Sequence, residues 1–201
     1  MDVNTIIGCI FPEYFLTGCH RKGAISKEQV SSSNFISPFF LTGYLEIEND
    51  FFNKRYYSSV ILLSKGKSYN FRKMVPYGLE KKWLLPGGSL DYIQPIDTEY
   101  NKMLVVIGTD ALTLLRNRTR MNELNKYKGQ ISSLIVPSFL YNSHNELIGT
   151  IGRISDKLKI PTWINVDYFY GLICNGQKLK EFMKQGGNDG SNETRACESR
   201  Q

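Results

Sequence analysis

Arg116, Arg118 and Arg120 crowd into five residues, Lys126 and Lys128 follow, and Glu123 is the one acid among them. Guanidinium forks match the oxygens of a phosphate, so the chemistry these residue types and this spacing suggest is the binding of a polyanion. On a helix Arg116 and Arg120 share a face; on a strand all three arginines line up. Lys54, Arg55, Lys65, Lys67, Arg72, Lys73, Lys81 and Lys82, interleaved with Tyr56, Tyr57, Tyr69 and Phe71, lie on the preceding predicted hairpins and extend the candidate patch. Between residues 51 and 130 there are 14 basic and 6 acidic side chains, which is more than the whole excess behind the net charge of +6. A field concentrated this way bears on association with nucleic acid or an anionic membrane surface and says nothing about fold.

The stretch EKKWLLPGGSLDY, Glu80 to Tyr92, resembles the entry to the Nudix phosphohydrolase motif. That family's pattern continues into glutamates on a helix that hold magnesium. Counting from Gly88, this chain has Gln94, Lys102-Met103 and Val106-Ile107 at those positions, and apolar side chains offer a hard cation no oxygen. Pro-Gly-Gly then reads as a turn, with Pro86 fixing φ and Gly87 supplying the positive φ of a type II turn. Gly66-Lys67-Ser68 has the ending of a phosphate-binding P-loop, but Ile61 stands where that loop needs a glycine. Gly149-Thr150-Ile151-Gly152 has the spacing of a KH-domain loop without a basic residue in the variable pair. His20 and His144 are the only histidines, and neither they nor Cys9, Cys19, Cys174 and Cys197 show zinc spacing or a Cys-x-x-Cys pair. Asp97 and Glu99 are close in sequence, which alone cannot set two carboxyls across a scissile bond. No nucleophile elbow surrounds Ser89. These patterns imply no catalytic residue, metal or cofactor.

The elements that must position these residues are mostly strands. LTGYLEIE, residues 41–48, alternates with period two. RYYSSVILL and YNFRKMV, joined by SKGKS, predict a hairpin in which Tyr69, Phe71 and Lys73 share one face and Asn70, Arg72 and Met74 the other. KKWLL and SLDYI predict a second, short pair around the Pro-Gly-Gly turn. KMLVVIG reads as a buried central strand or short buried helix. A helix over about 110–127 is predicted, with Thr109 or Asp110 as cap and Leu114, Met121 and Leu124 on one face. ISSLIVPSFLY and ELIGTIGRI flank NSHN and predict another hairpin, TWINVDYFYGLIC a further strand, and residues 176–185 a short closing helix.

The expectation is therefore an α+β fold of mainly antiparallel hairpins around one core. An N-terminal segment, 1–30, flanks a β-rich domain, 31–185, and a polar tail, 186–201, lies outside it. The chain has 201 residues and opens without the basic start of a signal peptide, so reduced thiols and an intracellular, cytoplasmic location are expected. The functional expectation is a non-enzymatic basic protein that contacts nucleic acid or an anionic lipid surface, of the type of a small viral matrix or accessory protein. The alternatives are an oligomeric assembly protein and an enzyme with an unrecognised site.

Overall fold

The computed structural model describes residues 9–11, 13–18, 20–31, 39–50, 53–64, 66–98, 102–138, 144–166 and 169–173. Two sheets make up its centre. The first has the order β1 (Cys9–Ile10), β2 (Phe39–Asn49), β3 (Lys54–Ser64), β4 (Lys67–Arg72), with β1 parallel to β2 and the rest antiparallel. The second has the order β5 (Ile96–Asp97), β6 (Lys102–Val105), β7 (Ser133–Ser138), β8 (Thr162–Val166), β9 (Phe169–Ile173). Its three middle strands are parallel and its two edges antiparallel.

Period-two alternation decides which side chains meet. Leu41, Val60, Leu62 and Phe71 project from the first sheet onto Met103, Val105, Ile107 and Ile135 of the second, forming the inter-sheet core. The opposite face of the second sheet carries Leu104, Val106, Leu134 and Val136. Helices α2 (Asp110–Arg116), α3 (Arg118–Asn125) and α4 (His144–Leu158) cover it. On the outer face of the first sheet, Val30 of the short α1 (Lys27–Ser31) packs with Tyr44 and Ile61. The layers thus run helix, sheet, sheet, helix, with one helical layer thin.

Several expectations are corrected. The antiparallel α+β arrangement gives way to parallel β6, β7 and β8, whose links are helical crossovers, because parallel neighbours cannot be joined by a tight turn. ELIGTIGRI is part of α4: Gly149, Gly152 and the β-branched residues imitate a strand, but Leu147, Ile151, Ile154 and Leu158 follow the helical period and are all buried. The helix over 110–127 is two helices. Asn117 takes an extended conformation between them, and its side chain accepts a hydrogen bond from the Arg120 amide, so it ends α2 and caps α3.

KKWLL and SLDYI contribute single 3-10 turns, Gly78–Lys82 and Leu90–Tyr92, in place of a strand pair, and the positive φ in Pro-Gly-Gly belongs to Gly88. The hairpin of β3 and β4 and the buried strand from KMLVVIG stand as expected. In place of the one strand expected from TWINVDYFYGLIC, TWINV and FYGLI form the antiparallel pair β8 and β9. The helix expected at 176–185 and the tail at 186–201 lie outside the described residues. Among the described residues no helix is long and apolar enough to cross a membrane.

Candidate active site

Where β4 ends, the alternation that holds Phe71 in the inter-sheet core also turns Lys73 inward. Its ammonium group has 2% side-chain exposure, and a charge so placed must be paired. Lys73 Nζ donates to Glu13 Oε1 at 2.9 Å and to Glu80 Oε2 at 2.8 Å and Oε1 at 3.1 Å. Both carboxylates are buried as well. Glu13 comes from the turn after β1 and Glu80 from the 3-10 turn Gly78–Lys82, so three separated pieces of chain converge.

Each carboxylate is held by further donors. The Ser58 hydroxyl on β3 donates to Glu13 Oε1. Glu80 accepts from the Tyr14 hydroxyl at 2.7 Å and from the Tyr77 amide at 2.9 Å. Tyr14 has φ of 63°, a left-handed conformation that costs a bulky residue about 1–2 kcal/mol. That strain lets adjacent side chains, Glu13 and Tyr14, reach two members of the same cluster.

The second sheet closes the group. After β6 the chain passes through Val106 and Ile107 to Gly108, with φ of 44°, and enters α2 at Asp110. A Cβ at position 108 would lie 2.9 Å from Glu13 Oε2, 3.4 Å from Ser138 Oγ and 3.7 Å from Lys73 Nζ. Any side chain at that turn would point into the cluster, and the chain has none. Ser138 ends the neighbouring parallel strand, and its buried hydroxyl has no hydrogen-bond partner among the described residues. The groups therefore meet at the carboxyl ends of β6 and β7, where open parallel sheets bind ligands.

Two carboxylates around one ammonium leave an excess negative charge out of water. Burial raises the Glu13 pKa to about 7, against the pull of Lys73. Burial works against the Lys73 charge, but Glu13 and Glu80 outweigh it and raise its pKa, so the ammonium persists. A proton-exchanging carboxyl beside a permanent cation can take a proton from a nucleophile and stabilise a developing oxyanion. Among the described residues no group of three or more His, Cys, Asp and Glu side chains is placed to hold a metal ion.

The basic residues expected to form a polyanion surface are divided among these layers. Arg116, Arg118 and Arg120 lie on α2 and α3, and Lys126 and Lys128 in the turn after them, in the helical layer. Lys54, Arg55, Lys67 and Arg72 belong to β3 and β4 of the other sheet, and Lys81 and Lys82 to the 3-10 turn. Lys65 is outside the described residues. Several are paired with acids: Arg55 with Asp50, Arg72 with Glu46 and Glu48, Arg116 with Glu146, Arg120 with Glu123. Lys73 is inside the cluster.

No protein-family model matches the sequence, and no curated protein does. Solved structures do match. The amidase of Nesterenkonia sp. AN1, described as a member of the nitrilase superfamily and solved as a cysteine-to-alanine mutant, is similar with a TM-score of 0.54 at 12% identity over 80% of this chain and 63% of the amidase. The same mutant in complex with butyramide matches over 83% and 66% with the same score and identity. The glutamine-dependent NAD+ synthetase of Acinetobacter baumannii is similar with a TM-score of 0.51 at 16% identity over 83% of this chain and 33% of the synthetase.

The chain shares the fold of this amidase, a nitrilase-superfamily structure. It spans less than two thirds of the length of the amidase it resembles. A fold shared with amidases and a synthetase overturns the expected non-enzymatic polyanion-binding protein of viral matrix type, and with it the nucleic-acid and lipid partners.

Of the cluster, only Lys73 was among the expected site residues, and for another role. The signal for it was present: a lysine on the same predicted strand face as Tyr69 and Phe71 needs a buried acid opposite it. Glu13 had a weaker mark as a lone acid between aromatic residues in IFPEYF. Nothing local marks Gly108, because its role exists only once β6 lies against the Glu13 turn.

Proposed function

We propose that the chain is a hydrolase of the carbon–nitrogen type, with Glu13, Lys73 and Glu80 as its reaction centre and an amide as its substrate class. The observation that supports this is Lys73 buried between two carboxylates at the strand ends of a fold that amidases share. Glu13 is the general base, Lys73 the fixed cation beside the carbonyl oxygen, and Glu80 the anchor that keeps Lys73 charged. Position 108 carries no side chain, and in this reading water is the nucleophile. Glu13 takes a proton from water as its oxygen bonds to the carbonyl carbon, and Lys73 stabilises the oxyanion. The C–N bond then breaks as the Glu13 proton passes to the leaving nitrogen, giving a carboxylic acid and an amine or ammonia.

The test is ammonia release from short aliphatic amides, butyramide included, by the protein and by Glu13→Gln. Release that Glu13→Gln reduces by about 100-fold or more supports the reading. No release from any amide, or equal rates in both proteins, contradicts it. The near-complete burial of all three charged groups favours a second reading, in which the cluster only holds the sheets together. In that case Glu13→Gln changes stability while the protein hydrolyses nothing.

A further inference from the structure

The centre draws on both sheets, and something must hold the Lys73 segment against the Gly108 turn. Asp110, fully buried as the first residue of α2, makes that connection. A carboxylate at this position would ordinarily serve its own helix. Here it accepts hydrogen bonds from the Met74 amide at 2.8 Å, the Val75 amide at 2.8 Å and the Tyr92 hydroxyl at 2.6 Å. Tyr92 Oη in turn accepts from the Ile107 amide at 3.0 Å. Thr109 Oγ1 adds a bond to the Val75 carbonyl at 3.2 Å.

The two residues that follow Lys73 and the residue that precedes Gly108 are thus tied through one carboxylate and one phenol. We propose that Asp110 and Tyr92 are positioning residues that set Lys73, and through it the Glu13 carboxyl, against the Gly108 turn. Geometry supports the assignment from two sides. The three donors to Asp110 come from outside its helix, and all three belong to segments that enter or flank the centre. Met74 and Val75 cannot shift without taking two of its three donors from this buried carboxylate, which is costly. Burial raises the Asp110 pKa while Tyr92 and the two amides oppose the rise, as expected of a carboxylate kept for its bonds.

The role in turnover rests on the proposed hydrolase reading, but the positioning itself can be measured without any substrate. The variants are Asp110→Asn, which keeps the shape but sets an amide donor among donors, and Tyr92→Phe, which keeps the ring and removes the bridge. The readout is the titration midpoint of the Glu13 side-chain carboxyl, followed by carbon-13 NMR in the whole chain. Lys73 holds that midpoint down. Loosening Lys73 should move it upward by about half a pH unit or more in each variant. Where amides are turned over, kcat should fall about 10-fold or more with KM within about twofold. Variants that melt earlier but titrate Glu13 at the wild-type midpoint would show a merely structural bond network and overturn the proposal. Should Asp110→Asn fail to fold, Tyr92→Phe decides. A shifted midpoint in a protein that hydrolyses no amide would uphold the positioning and sink only the hydrolase reading.

Discussion

Arg72 and Lys73 are consecutive, yet strand alternation sends them to opposite faces of the first sheet, where each meets two glutamates. Arg72 stays partly in water. Its guanidinium donates to Glu46 at 2.7 and 3.2 Å and lies 3.9 Å from the centre of the Tyr57 ring, while Ser59 and Asn70 complete the shell around Glu46. Burial works against the Glu46 charge, but the hydrogen bonds from Arg72 and Ser59 outweigh it and its pKa is lowered. Lys73, buried beside Glu13, does not outweigh the desolvation of that carboxyl, whose pKa is raised to about 7. Like ion pairs thus accompany a lowered carboxylate pKa on one side of a strand and a raised one on the other. Desolvation decides the difference.

Removing either cation should sharpen this contrast. Lys73→Met leaves two carboxylates facing each other without a counter-charge and should cost about 3–5 kcal/mol, read from urea unfolding, and abolish any amide hydrolysis. Arg72→Met leaves Glu46 with Ser59 and Asn70 and should cost less, about 1–3 kcal/mol, with any amide hydrolysis retained. Equal losses would erase the distinction between the two faces.

The pH dependence separates the faces by sign. Folded Glu13 holds its proton more tightly than the unfolded chain does, so its contribution favours folding below the ordinary carboxylate range and is lost as pH rises from about 4.5 to about 7. Glu46 is lowered, so its contribution is present above the ordinary carboxylate value and lost as pH falls through its depressed one. Unfolding midpoints across pH 4 to 8 should therefore lose their downward trend toward neutrality in Glu13→Gln. In Glu46→Gln, midpoints followed below about pH 4.5 should lose part of their acid sensitivity.

A smaller effect is expected at the turn that faces the cluster. Gly108→Ala brings a Cβ to 2.9 Å from Glu13 Oε2 at a positive φ, and should cost about 1–3 kcal/mol while displacing the Glu13 carboxyl. A neutral result would mean that the turn and the carboxylate are not in contact.

The strands that position these groups were legible because alternation in LTGYLEIE, RYYSSVILL and YNFRKMV reports directly on which face is buried. That pattern even placed Lys73 among Tyr69 and Phe71, although its charge was counted toward a surface. The helical crossover of α4 was not legible, since glycines and β-branched residues outweighed a period visible only in Leu147, Ile151, Ile154 and Leu158. The centre was hidden for another reason. Glu13, Lys73, Glu80 and Gly108 span nearly half the chain, and no spacing between them carries meaning until two sheets bring them together.

The arginine run attracted attention because its residues are adjacent, but it lies in the helical layer away from the inter-sheet core. Arg116→Glu and Arg118→Glu, at exposed positions, should each change stability by no more than about 0.5 kcal/mol. Arg120→Glu should cost about 1–2 kcal/mol, because Arg120 also donates to the carbonyls of Ile93 at 2.8 Å and Asp91 at 3.1 Å. A matching loss at all three would show that the run acts as a unit.

The most direct test is the pH profile of amide hydrolysis. If Glu13 is the base, the rate of the wild-type protein should climb with pH and level off above a midpoint near 7, and Glu13→Gln should remove the climb together with the activity. A rate that is flat through neutrality, or a climb that survives Glu13→Gln, would contradict the assignment.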